Sequence, residues 1–144
     1  MGQLSKRAES ILRMQKFNRF ACPHCKEPMQ VEKDGRLQCE NRHSFDVAKQ
    51  GYVYMLAKPV NSMYSKDLFD ARHHIITSGL YDRVQQKIAE LIRVDNAKIL
   101  DTGCGEGSHL ARICAQLDGA VGVGIDIAKE AIIAAAKFNP SQIW

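Results

Sequence analysis

Cys22, Cys25, Cys39 and His43 are spaced C-x2-C-x13-C-x3-H. No other feature limits the fold as strongly, because four zinc-type ligands at this spacing must converge on one point. C-x2-C lets two thiolates reach one ion from a single tight turn, and Pro23 stiffens that turn. The second pair, Cys39 and His43, must be brought opposite by a hairpin. The stretch "EKDGRLQ" supplies one, with Asp34-Gly35 as a favoured turn dipeptide. The spacing predicts a closed, structural Zn2+ site on these four residues. The alternative, a set of unrelated core cysteines, fits poorly because Cys22 and Cys25 flank polar residues. His24 lies inside the first knuckle and is expected at the surface. A module this small cannot bury enough surface to fold unaided, so the metal is expected to supply its stability.

Around that site, 144 residues allow one domain or a small module plus part of another. The N-terminus has no apolar signal core, so the chain is read as cytoplasmic. In that compartment an odd count of five cysteines favours metal over disulfides. No run of eighteen apolar residues exists, so no membrane partner is expected. The net charge of +4 is concentrated in Lys6, Arg7, Arg13, Lys16 and Arg19 against Glu9, while the rest of the chain balances. Such a segment is an electrostatic footprint for nucleic acid or a solvated helix face.

Four regions follow. Residues 1–19 form a basic helical arm, 20–56 the zinc-binding module, 57–67 a polar, Pro-bearing linker, and 68–144 an α/β region. "GYVYML" at 51–56 alternates like a strand. From Leu68 to Val94 the pattern is helical and interrupted at Gly79, with Val84, Ile88, Leu91 and Ile92 on one apolar face. "AKIL" then reads as a buried strand, and Leu110, Ile113, Cys114 and Leu117 mark a helix. "AVGVGID" is a second strand, "AKEAIIAAAKF" a third helix closed by Pro140, and "SQIW" a third strand. This order opens a parallel, doubly wound sheet. The first strand, with a partner on one side only, has a bare apolar edge that admits a homodimer.

Asp101-Thr-Gly103-Cys-Gly105-Glu-Gly107 follows the first strand and opens a helix. Glycines let the backbone approach a ligand, and a helix start offers free N–H groups. A dinucleotide fold would show G-x-G-x-x-G, but here the third glycine comes one residue early and the expected position is Ser108. An acidic residue before the loop suits a cationic ligand end better than a pyrophosphate. This combination resembles motif I of class I S-adenosylmethionine-dependent methyltransferases. Asp126, at the end of the second strand, is placed to bind ribose hydroxyls. His73 and His74 are expected at the surface or facing RNA, and Cys104 and Cys114 as core or loop fillers.

Taken together, the chain resembles the RlmA family of 23S rRNA (guanine-N1) methyltransferases, in its N-terminal part. The resemblance runs from Cys22 onward through "CPHC…CENRH", "SFDVAKQGYVYML", "ARHHIITSGLYDRV", "LDTGCGEGSHL" and "GIDIAKEAIIAAAKFNP". It implies a zinc-binding RNA-recognition module, then the first part of a Rossmann-like domain. It also implies S-adenosylmethionine as methyl donor and a 23S rRNA hairpin as partner. The resemblance implies ligand contacts at Tyr81, His109, Leu110 and Asp126, which join Asp101, Gly103, Gly105 and Gly107 of the glycine loop as candidate cofactor-binding residues. Family members continue for roughly another hundred residues of sheet, so the chain is read as an N-terminal fragment, inactive alone. No catalytic residue is assigned. Two rival readings stay open: a non-catalytic zinc-ribbon RNA-binding fragment with a vestigial nucleoside site, and an NAD-binding fragment.

Overall fold

A computed structural model describes residues 2–144, which divide between Lys58 and Pro59 into two units. In the first unit, α1 (Lys6–Phe17) starts where the Ser5 side chain accepts from the Ala8 N–H at 3.2 Å. It stops at Asn18, whose left-handed backbone (φ 42°) lets its N–H donate to the Met14 carbonyl at 2.8 Å. Four short strands follow: β1 (Phe20–Ala21), β2 (Pro28–Val31), β3 (Arg36–Cys39) and β4 (Ser44–Asp46), all antiparallel in that order. The β2–β3 hairpin turns through Asp34-Gly35 as the dipeptide suggests, with Gly35 at φ +86°.

The basic segment is not a free arm. Ile11 and Met14 are buried, and Ser10 Oγ donates to the Gly51 carbonyl at 2.5 Å. Arg7 donates from Nε to the Val47 carbonyl (2.8 Å) and from Nη2 to the Asp34 carbonyl (2.6 Å). Gln15 adds a bond to the Val31 carbonyl. Burying Ile11 and Met14 contributes about 1.5–3 kcal/mol each, which ties α1 to the hairpin it crosses. The strand expected at 51–56 shrinks to one bridge, Val47 with Val53. Gly51, at φ +100°, turns the chain back, with the Gly51 N–H donating to the Ala48 carbonyl and the Ala48 N–H to the Tyr52 carbonyl.

In the second unit, α2 (Lys66–Thr77) begins inside the expected linker, where the Ser65 side chain accepts from the Leu68 N–H. Gly79, at φ +96°, separates it from α3 (Asp82–Leu91). Next come β5 (Lys98–Thr102), α4 (Ser108–Cys114), β6 (Val121–Ile125) and α5 (Lys129–Phe138). β5 and β6 pair in parallel with Asp101 opposite Gly124. Ile143 bridges Val123 on the other side of β6, so the expected third strand is a single parallel bridge. Phe69 packs on Ala128, Ala131 and Ala134, and these small residues allow α2 and α5 to approach closely. No helix among the described residues is long and apolar enough to cross a membrane.

The apolar face of α3 is open, with Val84 56%, Ile88 41% and Leu91 66% exposed, while Gln85 and Ala89 are buried instead. α3 packs on α4 through that polar-looking side, and no described element of this unit covers the apolar one. Leu100 of β5 is likewise 62% exposed, on a face of the sheet that is open at that point.

Candidate metal centre and glycine-loop site

The β1–β2 turn carries Cys22 and Cys25, and the end of β3 with the β3–β4 turn carries Cys39 and His43, to one point. Their donor atoms all lie within 4.8 Å of one another. Cys25 Sγ lies 3.7 Å from Cys39 Sγ, and His43 Nδ1 lies 3.4 Å from Cys22 Sγ and 3.5 Å from Cys39 Sγ. A tetrahedron with Zn–S bonds of ~2.3 Å has sulfur–sulfur edges of about 3.8 Å, and its S···N edges are slightly shorter. The separations therefore match a tetrahedral ion and are far too long for a disulfide. Cys25 is pulled down to about 6, first by the Asn41 side chain and then by the Glu27 backbone, which favours the thiolate a metal needs. This Cys3His set fits zinc. His24 is exposed as expected, its ring stacked on Phe45.

The glycine loop spans β5 and α4. Its backbone is pinned: the Gly103 and Cys104 N–H groups both donate to the Ile125 carbonyl, and the Gly105 N–H donates to Asp126 Oδ2 at 2.9 Å. Asp126 Oδ1 accepts from the Ala128 N–H at 2.8 Å. Gly103, Gly105 and Gly107 all have positive φ, but for different surroundings. A Cβ on Gly103 or Gly105 would meet nothing within 4 Å. On Gly107 it would strike the Trp144 ring, at 2.8 Å from Cζ2 and 2.9 Å from Cζ3. Gly103 and Gly105 thus face open space, and Gly107 makes room for an indole. The Leu110 side chain is buried in the core against Gly122, so only its backbone is available to a ligand. Burial pushes the Asp101 carboxyl up, with His109 opposing and Asp126 adding. Burial also pushes Cys104 up to about 12, which excludes it as a nucleophile, and raises Cys114.

Beneath the loop lies a polar network that the sequence reading missed. Glu106 is buried and accepts from the Ser108 N–H (3.1 Å) and the Ser108 hydroxyl (2.5 Å). Asn139 Nδ2 donates to the Glu106 carbonyl at 2.8 Å. His73, expected at the surface, stacks on Phe138 at 3.8 Å and places Nδ1 3.0 Å from Glu106 Oε2 and 2.9 Å from Ser108 Oγ. The Ser108 proton is already given to Glu106, so both neighbours of that nitrogen are acceptors, and His73 carries its proton on Nδ1. His74 is exposed as expected. The signal available in the sequence was the acidic residue inside the glycine loop, which a purely ligand-facing loop would not need.

Tyr81 and His109 are brought together, their rings edge to face at 4.9 Å. His109 Nδ1 lies 2.9 Å from Nε2 of the buried Gln85, whose Oε1 accepts from Arg112 Nε at 3.0 Å. Arg112 Nη2 in turn donates to Asp82.

Comparison with known proteins matches the zinc module to a family. Residues 20–66 match the family model of the zinc ribbon described as "RlmA, N-terminal". A protein of Bacillus subtilis (strain 168), provisionally named a 23S rRNA (guanine-N(1)-)-methyltransferase, is 39% identical over 138 residues, covering 89% of this chain and 49% of the relative. The 23S rRNA (guanine(748)-N(1))-methyltransferase of Streptomyces fradiae is 36% identical over 125 residues, covering 83% of this chain and 44% of its own length. A Micromonospora griseorubida relative, also provisionally named a 23S rRNA (guanine-N(1)-)-methyltransferase, is 28% identical over 140 residues. The chain spans about half the length of these relatives. The resemblance to the RlmA family therefore holds, with the zinc ribbon matched by the family model and the relatives aligned over most of this chain.

Proposed function

We propose that this chain carries the RNA-recognition module and the cofactor-binding loop of a 23S rRNA (guanine-N1) methyltransferase. The observation that carries the reading is the open space in front of Gly103 and Gly105, on a loop that Asp101 precedes and Asp126 clamps. S-adenosylmethionine, when bound, supplies an electrophilic methyl group. The chain's own residues bind and orient it. The backbone at Gly103 and Gly105 admits the ligand closely. Asp101 is the partner for its ammonium group, and the lone pairs Asp126 keeps free accept from the ribose hydroxyls. Tyr81 and His109 close one side of the site. Zn2+ on Cys22, Cys25, Cys39 and His43 holds the first unit in the shape that meets an rRNA hairpin. Lys16 and Arg19 are among the cations left for phosphate contacts. Holding the guanine unstacked and close to the methyl donor is the main catalytic demand, and N1 must lose its proton. No base for that step is assigned to these residues.

Calorimetry on the zinc-loaded chain tests the cofactor half. S-adenosylmethionine and S-adenosylhomocysteine are expected to bind, and NAD is not. NAD binding in preference would overturn the reading. A filter-binding assay with a 23S hairpin, against a scrambled hairpin, tests the RNA half. Equal affinity for both would reduce the zinc module to a nonspecific electrostatic contact.

A further inference from the structure

Two histidines flank the glycine loop, and their neighbours force opposite tautomers on them. The first, His73, faces two acceptors through Nδ1. The second, His109, faces Gln85 Nε2 through Nδ1. The orientation of that buried amide is not free. Arginine has no acceptor, so the Gln85 atom 3.0 Å from Arg112 Nε must be the oxygen. The amide nitrogen then points at His109 and can only donate. A proton on His109 Nδ1 would oppose N–H to N–H, so Nδ1 accepts and the ring proton sits on Nε2. Asp82 holds Arg112 from the other side, which completes a chain from Asp82 through Arg112 and Gln85 to His109.

We infer that Gln85 is a positioning residue that fixes His109 as an Nε2–H donor, so that a bound ligand meeting His109 must offer it an acceptor. The identity of the ligand, S-adenosylmethionine, rests on the cofactor reading above. The tautomer itself does not depend on that reading. Burial supports the role: Gln85 is 2% exposed on a helix whose apolar side chains are largely open, so the fold buries an amide there in preference to Val84 or Leu91.

The test is 1H–15N correlation spectroscopy of the imidazoles in the zinc-loaded chain at about pH 8, above the ordinary histidine titration. His109→Asn identifies the His109 signals. The expected wild-type pattern is an unprotonated Nδ1 and a protonated Nε2 at His109, with the reverse at His73. Gln85→Glu keeps an acceptor for Arg112 but has no hydrogen to give, so His109 Nδ1 becomes protonated. Gln85→Met removes the donor at similar volume. Its expected S-adenosylmethionine affinity is about three- to tenfold weaker, the range for one lost hydrogen bond. A protonated Nδ1 in wild type, an unaltered Nδ1 in Gln85→Glu, or wild-type affinity in a folded Gln85→Met would each overturn the inference. If the spectra are as expected but wild type binds no S-adenosylmethionine, the cofactor reading fails and the tautomer assignment stands.

Discussion

Alanine substitutions at the three loop glycines should separate ligand contact from packing. All three have left-handed backbones, with φ of 77°, 59° and 80° at Gly103, Gly105 and Gly107. Alanine at any of them costs about 1–2 kcal/mol in backbone strain. At Gly103 and Gly105 nothing is added to that cost, because the new methyl meets open space. At Gly107 the methyl meets Trp144, which is buried and tethered by its Nε1–H bond to the Asn139 carbonyl at 2.9 Å. Overpacking of this kind costs about 1–3 kcal/mol more, so Gly107→Ala should lose about 2–5 kcal/mol in all. Urea denaturation followed by circular dichroism, with zinc saturating, measures each loss. Trp144→Phe shortens the ring away from the loop, and should recover part of the Gly107→Ala loss with a coupling of about 1 kcal/mol or more. Cofactor affinity should run the other way, falling at least about tenfold in Gly103→Ala and Gly105→Ala and far less in Gly107→Ala. Equal destabilisation at all three positions, or strict additivity with Trp144→Phe, would refute the division of the glycines.

The zinc-loaded chain should show no rapid thiol labelling at neutral pH, and chelation should expose Cys22, Cys25 and Cys39 while Cys104 and Cys114 stay silent; metal analysis should give one zinc per chain, and fast labelling of Cys104 would contradict its burial. Asp101→Asn should weaken S-adenosylmethionine binding without lowering the melting temperature. The folded-state pKa of Asp101 is raised, so the stability tied to its neutral form is full below the ordinary aspartate range and lost as pH rises through the folded value. By pH 7 only the cost of burying the charge remains, and asparagine removes it. A clear fall in melting temperature at pH 7 would show that the carboxylate is holding the fold.

The sequence exposes what depends on spacing and hides what depends on neighbours. Ligand spacing and the Asp34-Gly35 turn specify the first unit, because each is a local geometric demand. The strand–helix order of the second unit is legible for the same reason. On α3, periodicity marks Val84, Ile88 and Leu91 as one apolar face but cannot say whether anything covers it, and the face is open. His73 and Gln85 were missed because their partners, Glu106 and His109, lie 33 and 24 residues away and meet them only in the fold. Trp144 was read as the start of a strand. Its ring explains why Gly107 and Gly124 are glycines, a reason no loop motif states.

Asp126 shows how these two kinds of information combine. Its position after the second parallel strand suggests a ribose contact, yet both carboxylate oxygens already accept backbone N–H groups, from Gly105 and Ala128. Each oxygen has a second lone pair, so ribose binding adds to those bonds and does not replace them. Asp126→Ala therefore removes two things at once, a ligand acceptor and the clamp that sets the height of the loop. Each charge-assisted bond is worth about 1.5–3 kcal/mol, so the affinity loss should exceed what one ribose contact supplies. Amide hydrogen exchange on the ligand-free chain separates the parts. Exchange at Gly105 and Ala128 should accelerate by about tenfold or more in Asp126→Ala, while Gly103, bonded to the Ile125 carbonyl, changes little. Unchanged exchange at Gly105 beside a large affinity loss would mean that Asp126 acts on the ligand alone and that the loop keeps its shape without it.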